Sequence, residues 1–489
     1  MNLSRRTWVL SLAVVILAAL FIFSFFHKAF NGDEGIIGEY AYWLNKIGYV
    51  KSQMFDGMGM GWEKQLHHYH KLFVLTGSWV IHLFGLSLFA LRSVSLFFFL
   101  LFLYFLRRYM RKRSDAFDQS DFLICIIFLL LNSTLFDFAF VYRPEVMIMS
   151  LGFISFYLLH KGLTENRSAL IYASAALAGL CAFTHLNGLI FIFAGAVVLL
   201  FQQKYLLCFT YGFVGGLVSL LYFFDLTTIS AFQRFMHQFA NDPNLGKQHF
   251  KLYTPLIKIL DDHMRFFHSP REIVFSVLFF LSLIWQFLAL KSSHWPMLVY
   301  LFALIIGLAG ISHGPTPYYA LVYYPYVAII ITLGMKRLWG SPKLLRAAFI
   351  VALAAYGLVN AYFIFHLLTT AVDVESESEA ISQELPQKNV KVIAGEFFFF
   401  NQVHHYKICI PLTYEILCRH YHRGNFTKED FFRFAQDHDN EYIILSKNFT
   451  SQAILEMIGY DTLVLKQKIF NYSVLKKGPE HVIFQRNPQ

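Results

Sequence analysis

The chain has 489 residues, 56% of them hydrophobic and only 15% charged, with 55 phenylalanines and a mean hydropathy of +0.48. A soluble protein carries nearer ~25% charged residues, so the composition excludes one and points to a membrane protein of many spans. In a soluble chain the net charge of +10 would suggest nucleic acid; here no nucleic-acid partner is expected, and the information lies in where the basic residues fall.

The first uncharged run is Thr7 to Phe26, twenty residues preceded by Arg5 and Arg6. It is long enough to cross a bilayer as a helix and lacks a small-residue cleavage pattern, so it reads as an anchor and not a removed signal peptide. Asp33 and Glu34 follow at once in "FNGDEGIIGEYAYWL", which begins at Phe30. Taken alone, Asp33 reads as a cap: Asn31 and Gly32 turn, and its carboxylate accepts backbone N–H groups of a helix running towards Leu44.

The next basic cluster is "RRYMRKR", Arg107 to Arg113, followed by Lys161, Arg167, Lys204, Lys291 and the stretch Lys336 to Arg346. If all are cytoplasmic, an even number of crossings separates each from the next. The segment "KLFVLTGSWVIHLFG" from Lys71 is then expected along the outer surface, and the second span begins near Ser87. The remaining spans are expected near 122–140, 146–160, 168–184, 186–201, 205–224, 273–290, 295–312, 318–335 and 347–370. Eleven spans result, with the N-terminus inside and everything after Val372 outside.

The expected fold is therefore a mainly α, polytopic helical bundle over residues 1–372, followed by an extracytoplasmic α/β domain over 373–489. Within the bundle a first outer loop covers 27–87. A second, 225–272, mixes Phe and Leu with Arg234, Lys247, Lys251 and Arg265, as an interfacial amphipathic loop does. The tail reads as strand "NVKVIAG", helix "KEDFFRFAQDH", strand "EYIILS", helix "SQAILEMIG", then strands "TLVLKQKI" and "YSVLKK". Cys125, Cys181 and Cys208 fall in spans; Cys409 and Cys418 share the tail, either paired or as separate thiols. No CxxC, HExxH, GxGxxG or Walker pattern occurs, so soluble-nucleotide chemistry is unsupported. In "HHYH", His67 and His70 are three apart with no clustered acids, which favours interfacial anchoring over a metal site.

Four turns on the expected outer face carry polar groups. They are Asp33-Glu34; "DFAFVYRPEVM" with Asp137, Tyr142, Arg143 and Glu145; "FTHLNG" with His185 and Asn187; and "SHGPTPYY" with His313, Tyr318 and Tyr319. Charge at this depth is costly unless paired or wetted, which makes such residues functional candidates.

These motifs, in this order, resemble the GT-C glycosyltransferases, in particular the group of the dolichyl-phosphate-mannose protein mannosyltransferases and the bacterial lipid A aminoarabinose transferase. Asp-Glu directly after the first span is the family's signature. The likeness continues through "HHYHKLFVLTGSWVIHLFGLSLFALRSVSLFFFLLF", "YRPEVMIM", "LAGLCAFTHLNGLIFI" and "YYALVYYPYVAII", and covers about residues 1–340. It implies transfer of a sugar from a polyprenyl-phosphate carrier to a lipid, glycan or protein acceptor at the outer face, among membrane lipids.

By this resemblance Asp33 is the general base, and Glu34 or Glu145 orients the acceptor or tunes the base. Arg143, His185, Tyr318 and Tyr319 are the groups expected to meet the donor phosphate. The resemblance implies no cofactor and no catalytic metal. The chain departs from the family where many relatives have Lys in place of His185, and Arg in place of His313-Gly314-Pro315. Histidine is only partly protonated near neutrality, so phosphate contacts there differ from the family's. The rival class is a polyprenyl-lipid transporter or flippase, but no inverted repeat or mid-span charge pair supports it. The Phe, Lys and Asn usage and compact loops favour a bacterial inner membrane, where Asn425 and Asn448 carry no glycan.

Overall fold

The structure is a computed structural model that describes residues 5–113, 116–242, 254–288, 295–311, 316–340, 342–421 and 427–488. Lys247, Lys251, Lys291, His313 and Asn425 lie outside the described residues. The first span is α1 (Arg5–Phe26), followed by α2 (Gly32–Ile47) and α3 (Lys71–Phe84), which pack on each other. The bundle continues through α4 (Leu88–Lys112), α5 (Gln119–Leu131), α6 (Ser133–Phe138), α7 (Glu145–Glu165), α8 (Ser168–Thr184), α9 (Leu189–Phe201) and α10 (Tyr205–Ser219). After α11 (Ile229–Ala240), α12 (Thr254–Asp261) and α13 (Met264–Phe267) come α14 (Pro270–Leu288), α15 (Trp295–Ile311), α16 (Tyr324–Arg337) and α17 (Lys343–Thr369).

Five of these helices, α1, α4, α7, α10 with the turn after it, and α17, are long and apolar enough to cross a membrane by length and composition. A sixth span results if the pair Ile257–Phe267 and Pro270–Ile284, bent by 103°, counts as one. Four other expected spans fall on shorter apolar helices: α5, α8, α9 with the turn before it, and α15.

Capping explains several boundaries. Ser87 starts α4 by accepting the Ala90 N–H at 3.1 Å, where the second span was expected to begin. The expected continuous span 122–140 is instead broken at Asn132, whose side chain accepts the Leu135 N–H at 2.8 Å and starts α6. Asn360 of α17 takes both the backbone N–H and the hydroxyl of Ser133 at 2.7 Å, so the break leaves these donors satisfied inside an apolar bundle.

The tail holds α18 (Val374–Gln383), α19 (Phe399–Gln402), α20 (Pro411–Tyr421), α21 (Lys428–Asp437) and α22 (Gln452–Ile458). Its strands are β1 (Lys391–Ile393), β2 (Lys407–Cys409), β3 (Asn440–Ser446), β4 (Lys468–Ile469), β5 (Tyr472–Lys477) and β6 (His481–Arg486). They form one sheet in the order β2-β1-β3-β6-β5-β4, parallel from β2 to β3 and antiparallel from β3 to β4. The expected strand 462–469 shrinks to Lys468–Ile469: Lys466 adopts a positive φ of 62°, and Val464 and Leu465 are exposed in the turn before β4. Cys409 and Cys418 are both buried free thiols.

One face of the sheet has its own core, with Ile443, Leu445, Phe431, Phe432, Tyr472 and Phe484. The run Phe397 to Phe400 instead joins the core of the helical bundle. The tail also grips the segment between α2 and α3. The Ile410 N–H and the Thr413 hydroxyl both bond to the Met54 carbonyl, at 3.1 and 2.7 Å, and Lys391 pairs with Asp56 at 2.6 Å.

A candidate active site around Asp33 and Arg143

The site begins at the N-terminus of α2, and the cap there is Asn31 rather than Asp33. The Asn31 side chain accepts the Asp33 N–H at 3.1 Å, and Glu34 closes a capping box by accepting the Asn31 N–H at 3.1 Å. Asp33 is thereby released from the helix end, and its carboxylate is 45% exposed.

Glu34 turns the other way. It is completely buried; Arg92 of α4 donates to its two oxygens at 2.8 and 2.7 Å, and the Tyr142 N–H donates at 3.0 Å. Its partners Asn31, Arg92 and Tyr142 all belong to the fold, so Glu34 ties α2 to α4 and to the turn before α7. A buried carboxylate without such donors would be very costly.

Arg143 is the hub of the exposed side. Its guanidinium donates to both oxygens of Glu145 at 3.2 and 3.0 Å, pairs through Nη1 with Asp33, and lies 4.0 Å from the centre of the Tyr318 ring. Two carboxylates thus share one cation, and Arg143 can meet a phosphate only in competition with them. Tyr318 packs edge-on against Tyr319 at 4.8 Å, and Tyr319 against His185 at 5.7 Å. His185 stacks on His70 at 4.7 Å. The Nδ1 of His185 accepts the Asn187 N–H at 2.9 Å, which places the ring proton of the neutral imidazole on Nε2. Burial pushes His70 down to about 4, against the pull of Glu145, so it is neutral at physiological pH.

Asp33, Arg143, Glu145, Tyr318, Tyr319 and His185, brought from three separate turns and α2, therefore form one continuous wall. Glu34 stands behind it. His313 lies outside the described residues.

Three cations were not singled out by the sequence. Arg92 had no visible partner, because Glu34 lies 58 residues away. Arg265 is fully buried, donates to Asp262 at 2.9 and 2.7 Å and to the Thr316 carbonyl at 3.0 Å, and lies 5.9 Å from the Tyr319 ring. In sequence it reads as one basic residue of the second outer loop, with an acid three positions before it. Lys28 donates to the Phe136 carbonyl at 3.0 Å and is pushed down to about 8 by burial. A small, mainly apolar crevice lies beside Arg265, lined by Phe266, Phe275, Phe279, Tyr323 and Val327.

The histidines of "HHYH" diverge. His67 goes to Asp225 at 3.2 Å, where Lys71 also binds at 2.6 Å, and His68 goes to Asp242 at 3.1 Å. Among the described residues no three His, Cys, Asp or Glu side chains gather as a metal set.

No protein-family model matches the chain, and a search of curated proteins finds no match. Solved structures do match. The chain is similar to ArnT from Cupriavidus metallidurans bound to undecaprenyl phosphate, with a TM-score of 0.60 and 13% identity, covering 99% of this chain and 100% of that one. It is also similar to the Archaeoglobus fulgidus oligosaccharyltransferase in its apo form, with a TM-score of 0.57, 13% identity, and coverage of 90% and 69%. A third match is the archaeal oligosaccharyltransferase AglB from the same organism, in complex with an inhibitory peptide and a dolichol-phosphate (TM-score 0.51, 11% identity, coverage 91% and 69%). The chain has the GT-C glycosyltransferase fold, a membrane helical bundle with a C-terminal domain.

Proposed function

We propose that the protein is a membrane glycosyltransferase that moves a sugar from a polyprenyl-phosphate carrier to a lipid, glycan or protein acceptor. The observation that carries this reading is the Asp33–Arg143 wall: an exposed carboxylate freed from helix capping, flanked by a guanidinium, two phenols and an imidazole. The carrier class is supported by the similar structures that hold undecaprenyl phosphate or a dolichol-phosphate. The reading places the wall and the tail on the outer face of a bacterial inner membrane.

In this reading Asp33 accepts the proton of the acceptor nucleophile as that nucleophile attacks the anomeric carbon. The bond from that carbon to the phosphate oxygen breaks, and the polyprenyl phosphate leaves with one more negative charge. That charge develops near Arg143, the His185 Nε2–H and the hydroxyls of Tyr318 and Tyr319, the donors suited to stabilising it. Glu145 holds Arg143 in place.

The test is reconstitution of the full chain in liposomes with undecaprenyl-phosphate-linked sugars, plus an envelope extract from a strain lacking the protein. Release of free undecaprenyl phosphate with sugar appearing on the acceptor is the expected result. Movement of intact carrier across the bilayer without cleavage would overturn the reading in favour of a flippase.

A further inference from the structure

Glu396 lies on a short turn of the tail, Glu396–Phe398, that packs against α2. Gly35 admits this contact. A Cβ at residue 35 would stand 2.6 Å from the Glu396 carbonyl oxygen and 2.8 Å from its Cβ, so the two segments meet only because no side chain is there. One turn earlier, at Gly32, the neighbour is the Glu396 carboxyl itself, with Cδ 3.5 Å from where a Cβ would be. Gly32 directly precedes Asp33. The tail therefore delivers a carboxyl to the first turn of α2, one residue from the candidate base.

That carboxyl differs from the others nearby. Asp33 is paired with Arg143, Glu34 with Arg92, and Glu39 accepts from Ser52, Gln53 and Trp43. Glu396, half-buried, makes no ion pair and no hydrogen bond to another residue among the described residues. It does not cap α2, because Asn31 and Glu34 already close that end. Burial first, and then the like charge of Glu415, push it up to about 7. A partly buried acid with no partner but its own backbone N–H costs stability, and that one bond offsets the cost only in part. A ligand that brings hydroxyl groups would offset more of it.

We propose that Glu396 is an acceptor-binding residue, which holds hydroxyl groups of a polyhydroxylated acceptor while the attacking hydroxyl lies at Asp33. The inference rests on the glycosyl-transfer reading above and extends it: the tail, through Glu396, selects the acceptor. A carboxyl that is half-protonated near neutrality both donates to and accepts from hydroxyls, which suits a sugar or polyol surface.

The experiment uses the full chain in liposomes with undecaprenyl-phosphate-linked sugar, titrating the envelope extract as acceptor and following trypsin resistance of the tail. Glu396→Ala is expected to raise the apparent acceptor KM about tenfold while kcat falls less than threefold, with the tail as resistant as in wild type. Glu396→Gln keeps hydrogen-bonding atoms and is expected to recover most of the affinity. A wild-type KM in Glu396→Ala overturns the proposal alone. So does a raised KM that appears only with a protease-sensitive tail, which marks a docking role. Glu396→Gln as damaging as Glu396→Ala overturns the hydroxyl assignment in favour of a cationic acceptor. Absence of any carrier cleavage by the wild-type enzyme overturns the glycosyl-transfer reading and this inference with it.

Discussion

Arg92 donates to both oxygens of Glu34, at 2.8 and 2.7 Å, with neither side chain open to solvent. The pair joins α2 to α4 beneath the exposed wall, so Glu34 acts on the site by fixing the helix that carries Asp33. Removing one member of a buried pair strands the other charge and typically costs ~3–5 kcal/mol. Glu34→Gln is therefore expected to lower the thermal unfolding temperature in detergent markedly, while turnover per folded molecule falls far less. The double change Glu34→Leu with Arg92→Met should be less destabilising than either single change. A Glu34→Gln protein of wild-type stability would remove the structural assignment.

A second buried acid on α2 gives a pH dependence. Glu39 accepts hydrogen bonds from Ser52, Gln53, Trp43 and Met54, yet burial outweighs these donors and pushes it up to about 7. Its folded value lies above the ordinary 4.5, so the folded state binds more protons between about 4.5 and 7. Stability from this group is then complete below that window and lost as pH rises through it. Glu39→Gln cannot ionise. Its stability relative to wild type should climb across the window and level off above pH ~7, by a few kcal/mol at ~1.4 kcal/mol per unit. Thermal unfolding of both proteins at a series of pH values measures this, and parallel curves would refute it.

The tail is bound to the bundle by more than its connecting chain. Met54 receives two hydrogen bonds from it, Lys391 reaches Asp56, and the turn at Glu396 presses on Gly35. A protease cut between Thr369 and Asp373 is thus expected to leave the tail attached during size-exclusion chromatography. Gly35→Val, which forces the backbones apart, should release it after the same cut. Free tail from cut wild-type protein would mean that these contacts are weak.

Much of the bundle was legible because its signals are local. Uncharged runs mark spans, Lys and Arg clusters mark ends, and the turn residues at Arg143 and His185 fall where the chain reverses. Asp33, Arg143, Glu145 and Tyr318 could be grouped because all lie at such reversals on one face. What escaped depends on partners remote in sequence. Asn132 breaks a helix that reads as continuous, and Asn360, 227 residues beyond the Ser133 it holds, makes the break tolerable. Glu34 and Asp33 look equivalent in sequence until Arg92 claims one of them. Glu396 precedes four phenylalanines and carries no sequence signal of its own, and only the approach of Gly32 and Gly35 reveals where its carboxyl goes.

Asp33 carries the sharpest test, since capping and catalysis now make different demands on it. Asn31 caps α2, and the Asp33 carboxylate takes no backbone N–H of the helix, so Asp33→Asn leaves the helix start intact. The substitution also removes the ion pair with Arg143, but Arg143 keeps Glu145 as its counter-charge, bonded to both carboxylate oxygens. Protein yield and carrier binding should therefore persist. What disappears at nearly constant shape is the proton acceptor, and general-base catalysis is typically worth ~10²–10⁴ in rate. Transfer by Asp33→Asn is expected to fall by about that factor, with the acceptor KM changed far less than kcat. Glu145→Gln should behave differently, because Glu145 is buried against Arg143 and its loss frees that guanidinium to move. It should lose stability together with activity. Near-wild-type transfer by Asp33→Asn would remove Asp33 from the chemistry and leave Glu145, the other carboxylate on Arg143, as the base to test.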